Sequence, residues 1–162
     1  MDSSVDHIII EEELIPLIEE RLAAGYAVRY LPFRGVSMLP MLRQGKDSVE
    51  LSPLPAKLKK YDLPVYRRPS GQLVMHRVWE VHDDYYICMG DNTEAYETIY
   101  PDQMIGVVSA FKRGEKRIEV TDPGYQRYCR LWRLTRPFRK GYKWLKRFAK
   151  RLLKGLLGRN AR

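Results

Sequence analysis

The chain has 162 residues, 44% of them hydrophobic, which suits one domain with a packed core and little beyond it. Its net charge of +9 is confined to one end: residues 125–162 hold 14 Lys or Arg and no Asp or Glu, while the rest carries 15 basic against 20 acidic groups. Two cysteines (Cys88, Cys129) exclude a disulfide framework, and three histidines (His7, His76, His82) are too few for a His/Cys metal cluster, so no metal and no organic cofactor is expected.

The first residues, Met1 to Asp6, are acidic, and the apolar run Ile8-Ile9-Ile10 is too short for a secretory signal. Nowhere do about 20 apolar residues follow one another, as a membrane-spanning helix needs. The expected location is therefore the cytoplasm. Residues 7–24 read as a helix, with Ile10, Leu14, Leu17, Ile18 and Leu22 at helical spacing and Gly25 placed to stop it. Pro16 either kinks that helix or marks a late start. An N-terminal helical segment over 1–27 follows.

Residues 28–124 read as a β domain. Val49 to Leu51, Pro64 to Tyr66, Leu73 to Val81, Tyr85 to Met89 and Met104 to Phe111 are short apolar runs bounded by Gly, Pro and Asp. Pro69-Ser70-Gly71, Asp83-Asp84 and Arg113-Gly114 suit hairpin turns. The expected class is mainly β (α+β), a coiled antiparallel sheet or partial barrel.

Within this domain three segments carry chemistry. In Gly35-Val36-Ser37-Met38-Leu39-Pro40 a short helix is expected, with Ser37 near its N-cap and Pro40 in its first turn. Free N–H groups of Ser37 and its neighbours, Met38 included, would then face a developing oxyanion, and Gly35 would allow close backbone approach. A capping serine is the plainer reading of this segment alone. His76, in the expected strand Leu73 to Val81, has the pKa range for taking a hydroxyl proton, although a strand histidine bonded in the core explains it equally. Asp91 follows a strand in Gly90-Asp91-Asn92. If Asp83-Asp84 is a two-residue hairpin loop, Asp91 falls directly opposite His76, where Cβ atoms are about 5 Å apart. A bulge would shift that register.

Residues 125–162 form the basic amphipathic tail. Leu131, Leu134, Phe138, Tyr142, Leu145, Phe148, Leu152 and Leu156 make one stripe, flanked by Lys140, Lys143, Lys146, Arg147, Lys150, Arg151 and Lys154, with Trp132 and Trp144 off it. Pro137 and Gly141 should interrupt its start. An anionic membrane surface is the leading partner. Packing of the stripe on the β domain is the second reading. Nucleic acid is disfavoured, because it needs charge more than leucine.

The ordered segments resemble the boxes of the LexA-type and type I signal peptidases. Gly35-Val36-Ser37-Met38-Leu39-Pro40 is similar to their nucleophile motif, and Tyr66 to Gly71 with His76-Arg77-Val78 to the box that supplies the base. Gly90-Asp91-Asn92 and Met104 to Val108 resemble the last two. The resemblance implies a coiled β fold and peptide-bond cleavage by Ser37, with a peptide or protein as substrate. Histidine rather than lysine as base points to the archaeal and endoplasmic-reticulum branch. It also implies that Asp91 orients His76, that Glu97 stands where a second aspartate would, and that Pro40, Arg77, Gly90 and Asn92 support the motifs. Gly35 replaces a serine that serves the oxyanion hole in many relatives, and the usual membrane anchor before the serine is not found. A catalytically idle domain that binds or docks on membranes is the competing expectation, and self-cleaving LexA-like regulation lacks a DNA-binding domain.

Overall fold

Short apolar runs between turn residues do form antiparallel strands in the computed structural model, which describes residues 14–139, 141, 142, 144, 145 and 148, with residues 30–32 described by backbone alone. The expected helix before Leu14 therefore lies outside the described residues, as do Lys140, Lys143, Lys146, Arg147, Lys150 and Arg151. The strands are β1 (Val28–Pro32), β2 (Asp47–Ser52), β3 (Pro64–Arg67), β4 (Leu73–Met75), β5 (Arg77–Val81), β6 (Tyr86–Met89), β7 (Glu97–Ile99), β8 (Met104–Arg113) and β9 (Lys116–Glu119). One sheet runs β1-β2-β8-β3-β4 with β9 paired to β8, and a smaller one runs β5-β6-β7. Every pairing is antiparallel. The fold is mainly β with a few helices, and no barrel closes among the described residues.

The hairpins follow the turn residues. Arg68 and Gln72 close the β3–β4 loop, with the Arg68 N–H donating to Gln72 O at 2.8 Å, and Gly114 takes φ +60° between β8 and β9. Two short strands, β1 and β7, were not expected. The expected single strand Leu73 to Val81 is corrected: it divides at His76, β4 staying in the large sheet while β5 enters the small one. Leu73 to Trp79 are all buried, with no alternation toward solvent, as befits a segment that turns a corner between packed sheets. Leu58, Tyr66, Val74, Val78, Tyr86, Cys88 and Ile99 form the buried cluster that joins the sheets. Each of its Leu, Val and Ile side chains contributes about 1.5–3 kcal/mol when fully buried.

Helix α1 (Ile15–Ala23) places Pro16 in its first turn, so the proline marks a start rather than a kink among the described residues. Gly25, at φ +85°, ends it: the N–H groups of Gly25 and Tyr26 donate to the carbonyls of Leu22 (3.0 Å) and Arg21 (2.9 Å). Ile18 and Leu22 are buried, whereas Leu14 and Leu17, expected on the same stripe, are exposed. Leu22 lies directly on Gly106 of β8, where a Cβ would come within 2.8 Å of it.

Helix α2 (Pro123–Leu134) begins in the β unit, since the chain divides into two compact units after Gln126. Tyr125, expected in the tail, is buried and stacks edge-on to Phe111 at 5.3 Å. Within the second unit the helix is interrupted at Thr135, two residues before Pro137, which has no N–H to offer the Arg133 carbonyl. The Thr135 hydroxyl donates to Leu131 O at 2.9 Å. No described helix is long and apolar enough to cross a membrane.

Candidate functional site

The segment carrying Ser37 folds as consecutive turns over residues 37–41, not as the expected helix. The Leu39 N–H donates to Val36 O (3.1 Å), the Leu42 N–H to Met38 O (3.0 Å), and the Leu39–Pro40 peptide is cis. Pro40 is the reason no helix runs through: the residue before a proline is driven out of the α region. Met38, Met41 and Leu42 are buried and anchor the turns, leaving Ser37 at 9% exposure. The far end is held by Asp47, which accepts from the Arg43 N–H (2.8 Å) and its guanidinium (2.7 Å).

Backbone donors remain available beside Ser37. The N–H groups of Ser37 and Met38 make no hydrogen bond among the described residues. Gly35, expected to allow close backbone approach, takes φ +105°, and its N–H donates to Gln44 Oε1 at 2.9 Å.

The expected His76–Asp91 pairing is not formed. Near the loop the hairpin is in the predicted register, with Val81 opposite Tyr86 and the His82 N–H donating to Tyr85 O at 3.0 Å. A bulge between Val78 and Glu80 then inserts Trp79 and slips the strands by one residue, so that Arg77 faces Met89. Continued, this brings Gly90 rather than Asp91 to His76. A Cβ on Gly90 would lie 2.8 Å from the Ser37 carbonyl and 3.0 Å from His76 Nε2. Glycine is what lets the serine turn and the imidazole share one contact point. Asn92 fastens the turn, its N–H donating to Ser37 O (2.7 Å) and its side-chain amide to Val36 O (3.3 Å).

Asp91 serves Arg77 instead. Their bidentate pair (2.8 and 2.7 Å) is buried, and Arg77 further donates to Tyr125 Oη (2.8 Å), to Tyr61 O (3.3 Å) and to Met41 Sδ (2.9 Å). One guanidinium thus ties β5 to the serine turn, the Gly90–Asn92 loop and the start of α2.

Glu97 takes the place beside the histidine. Strand β7 sets Glu97 opposite Cys88, and its Oε1 lies 3.3 Å from His76 Nδ1. Tyr66 Oη stands 3.1 Å from the same Nδ1 and donates to Glu97 Oε2 at 3.0 Å. Arg68 holds the carboxylate from the other side, with Nε donating at 2.9 Å and a second bond from Nη2. Burial would raise the Glu97 pKa, but the bonds from His76 and Arg68 outweigh it and hold the carboxyl down at about 2. Burial, and next the charge of Glu97, push the Tyr66 phenol well above its usual range, so it keeps its proton.

The tautomer follows. Tyr66 spends its proton on Glu97, so its oxygen can only accept from Nδ1, and the ionised Glu97 can only accept. In the neutral ring Nδ1 is therefore the protonated nitrogen, and Nε2 presents a lone pair. Nε2 is buried and makes no hydrogen bond, with Ser37 or any other described residue. Cys88, the nearby thiol, is pushed up to about 12 by burial and then by the Glu97 charge, so it offers no thiolate near neutrality. A cleft of about 1350 Å³ opens between α1 and β7 and is lined in part by Arg68 and Glu97, but by neither Ser37 nor His76.

Tyr66 and Arg68 were missed as functional side chains, although a signal existed. With Pro69-Ser70-Gly71 as the turn, Tyr66 pairs with Val74 and so lies diagonal to His76, within reach of an aromatic ring. Among the described residues no group of three or more His, Cys, Asp or Glu is arranged to hold a metal ion. No protein-family model, curated protein or solved structure matches this chain.

The two acids should separate experimentally. Asp91→Ala leaves the Arg77 guanidinium buried and unpaired, and urea denaturation should register a loss of about 3–5 kcal/mol. Glu97, depressed in the folded state, adds stability fully present above its ordinary pKa of 4.5 and lost as pH falls toward about 2. Acid unfolding curves of wild type and Glu97→Gln should therefore differ near neutrality and converge across that window.

Proposed function

We propose that the chain is a serine endopeptidase of the LexA and signal-peptidase type, its β unit having that clan's coiled fold and Ser37 cutting a peptide bond in a peptide or protein. The observation that carries the reading is the bare, buried Nε2 of His76, its other nitrogen committed as a donor, facing the Gly90 contact with the Ser37 turn. The ordered segments that resemble the clan's boxes supply His76, Asp91 and Ser37 to this one corner of the fold.

Ser37 Oγ attacks the scissile carbonyl while Nε2 takes its proton. Glu97 stabilises the imidazolium that forms, through the Nδ1–H it already accepts. Negative charge moves to the former carbonyl oxygen, where the N–H groups of Ser37 and Met38 are free to donate. His76 then returns the proton to the leaving amine as the C–N bond breaks, giving an acyl ester on Ser37. Water, deprotonated by the same Nε2, attacks the ester and releases the acid, restoring the serine. The Ser37–Nε2 hydrogen bond is open in the free protein; such bonds commonly close only when substrate is bound. In this reading Asp91 acts on Arg77 and not on the reaction.

Incubation with a fluorophosphonate followed by intact-mass analysis tests the reading. Wild type should gain one adduct, located on Ser37 by peptide mapping, and Ser37→Ala and His76→Ala should gain none. Gly90→Ala, which drives a methyl group between Ser37 and Nε2, should also label poorly. Glu97→Gln should react on the order of 10²–10⁴-fold more slowly. A folded wild type that gains no adduct, or equal labelling of Ser37→Ala, would remove the peptidase reading.

A further inference from the structure

The second unit presents an apolar helical face that water does not favour. Leu131, Leu134, Phe138, Tyr142, Leu145 and Phe148 follow one another at spacings of three and four and are all exposed, Phe138 by 78% and Leu134 by 69%. Trp144, exposed by 62%, stacks on Phe148 at 5.5 Å and widens the face. Trp132, expected to match it, is instead half-buried, stacked on Tyr128 and covered by the Arg139 guanidinium at 3.5 Å.

What covers such a face is decided by charge. Residues 127–162 carry 14 Lys or Arg and no Asp or Glu. A second copy of this helix would bring like charges together along the whole seam, with no acid to answer them. A nucleic acid would meet the charges and leave the leucines and aromatics in water. A sheet of anionic headgroups over acyl chains satisfies both at once: apolar side chains enter the boundary, Trp144 sits at headgroup depth, and the basic groups meet phosphate. We infer that the exposed face of Leu131, Leu134, Phe138, Tyr142, Leu145 and Phe148, within a stretch of sequence that carries only positive charge, docks the chain on an anionic phospholipid surface without crossing it. The inference is independent of whether Ser37 reacts.

The full chain should co-sediment with vesicles of phosphatidylglycerol and phosphatidylcholine, and at least tenfold more weakly with pure phosphatidylcholine. Added salt should weaken the first binding. Phe138→Glu with Leu145→Glu should lower it at least tenfold while circular dichroism and Ser37 labelling stay unchanged. If that variant does not fold, wild-type protein decides: brominated acyl chains should quench its tryptophan emission, and Trp144→Phe should remove most of that quenching. Failure to bind anionic vesicles, equal binding by a folded double variant, or absence of quenching would overturn the inference. So would a salt-sensitive complex with duplex DNA that the double variant retains, together with no lipid binding, or a lipid-free dimer that the double variant loses.

Discussion

Two protons, one on His76 Nδ1 and one on the Tyr66 hydroxyl, are held against the ionised Glu97 carboxylate, and their placement determines what the rest of this site can do. Because Glu97 is held ionised by Arg68 and by the histidine, and Tyr66 is held neutral by burial, the ring has one direction in which to donate. Its other nitrogen is left buried, with no hydrogen-bond partner among the described residues. An unsatisfied buried acceptor normally costs about 1–3 kcal/mol. In the proposed reaction that cost has a use, since the same lone pair is what a serine hydroxyl needs in order to react.

The remainder of the core serves to keep this arrangement in register. The corner at His76 passes the chain from one sheet to the other, so the imidazole belongs to neither and projects where both sheets meet. Directly after it, Arg77 and Asp91 form a buried ion pair whose guanidinium also reaches Met41 and Tyr125. Buried pairs add little net stability relative to apolar packing, but half of one is costly. The pair therefore works as a register pin. It fixes the Gly90 loop at a depth where a residue without a side chain touches both Ser37 and His76. Two carboxylates that look alike in sequence thus have different partners, one a guanidinium and the other an imidazole.

Much of this was legible in the residues. Turn chemistry located the β3–β4, β5–β6 and β8–β9 hairpins, and the resemblance brought forward Ser37, His76, Asp91 and Glu97 together. What escaped was long-range or depended on one inserted residue. The bulge at Trp79 cannot be seen in the run Val78 to Val81, yet it decides which acid meets the histidine. The helix expected at Ser37 failed for a local reason, the proline three residues on. Strand β7 is only three residues long, and its pairing with β6 is set by packing rather than by its own pattern. The Gln44 bond to Gly35 and the Arg68 clamp on Glu97 are side-chain contacts between segments that no periodicity connects.

The site depends on the protonation of one ring, and long-range ¹⁵N–¹H correlation spectra of the histidines measure it directly. At a pH where His76 is neutral, its spectrum should show Nδ1 protonated and Nε2 bare, with the Nδ1–H signal shifted or lost in Glu97→Gln and retained in a folded Asp91→Asn. A neutral His76 protonated at Nε2, or an Nδ1–H signal that responds to Asp91 and not to Glu97, would contradict it.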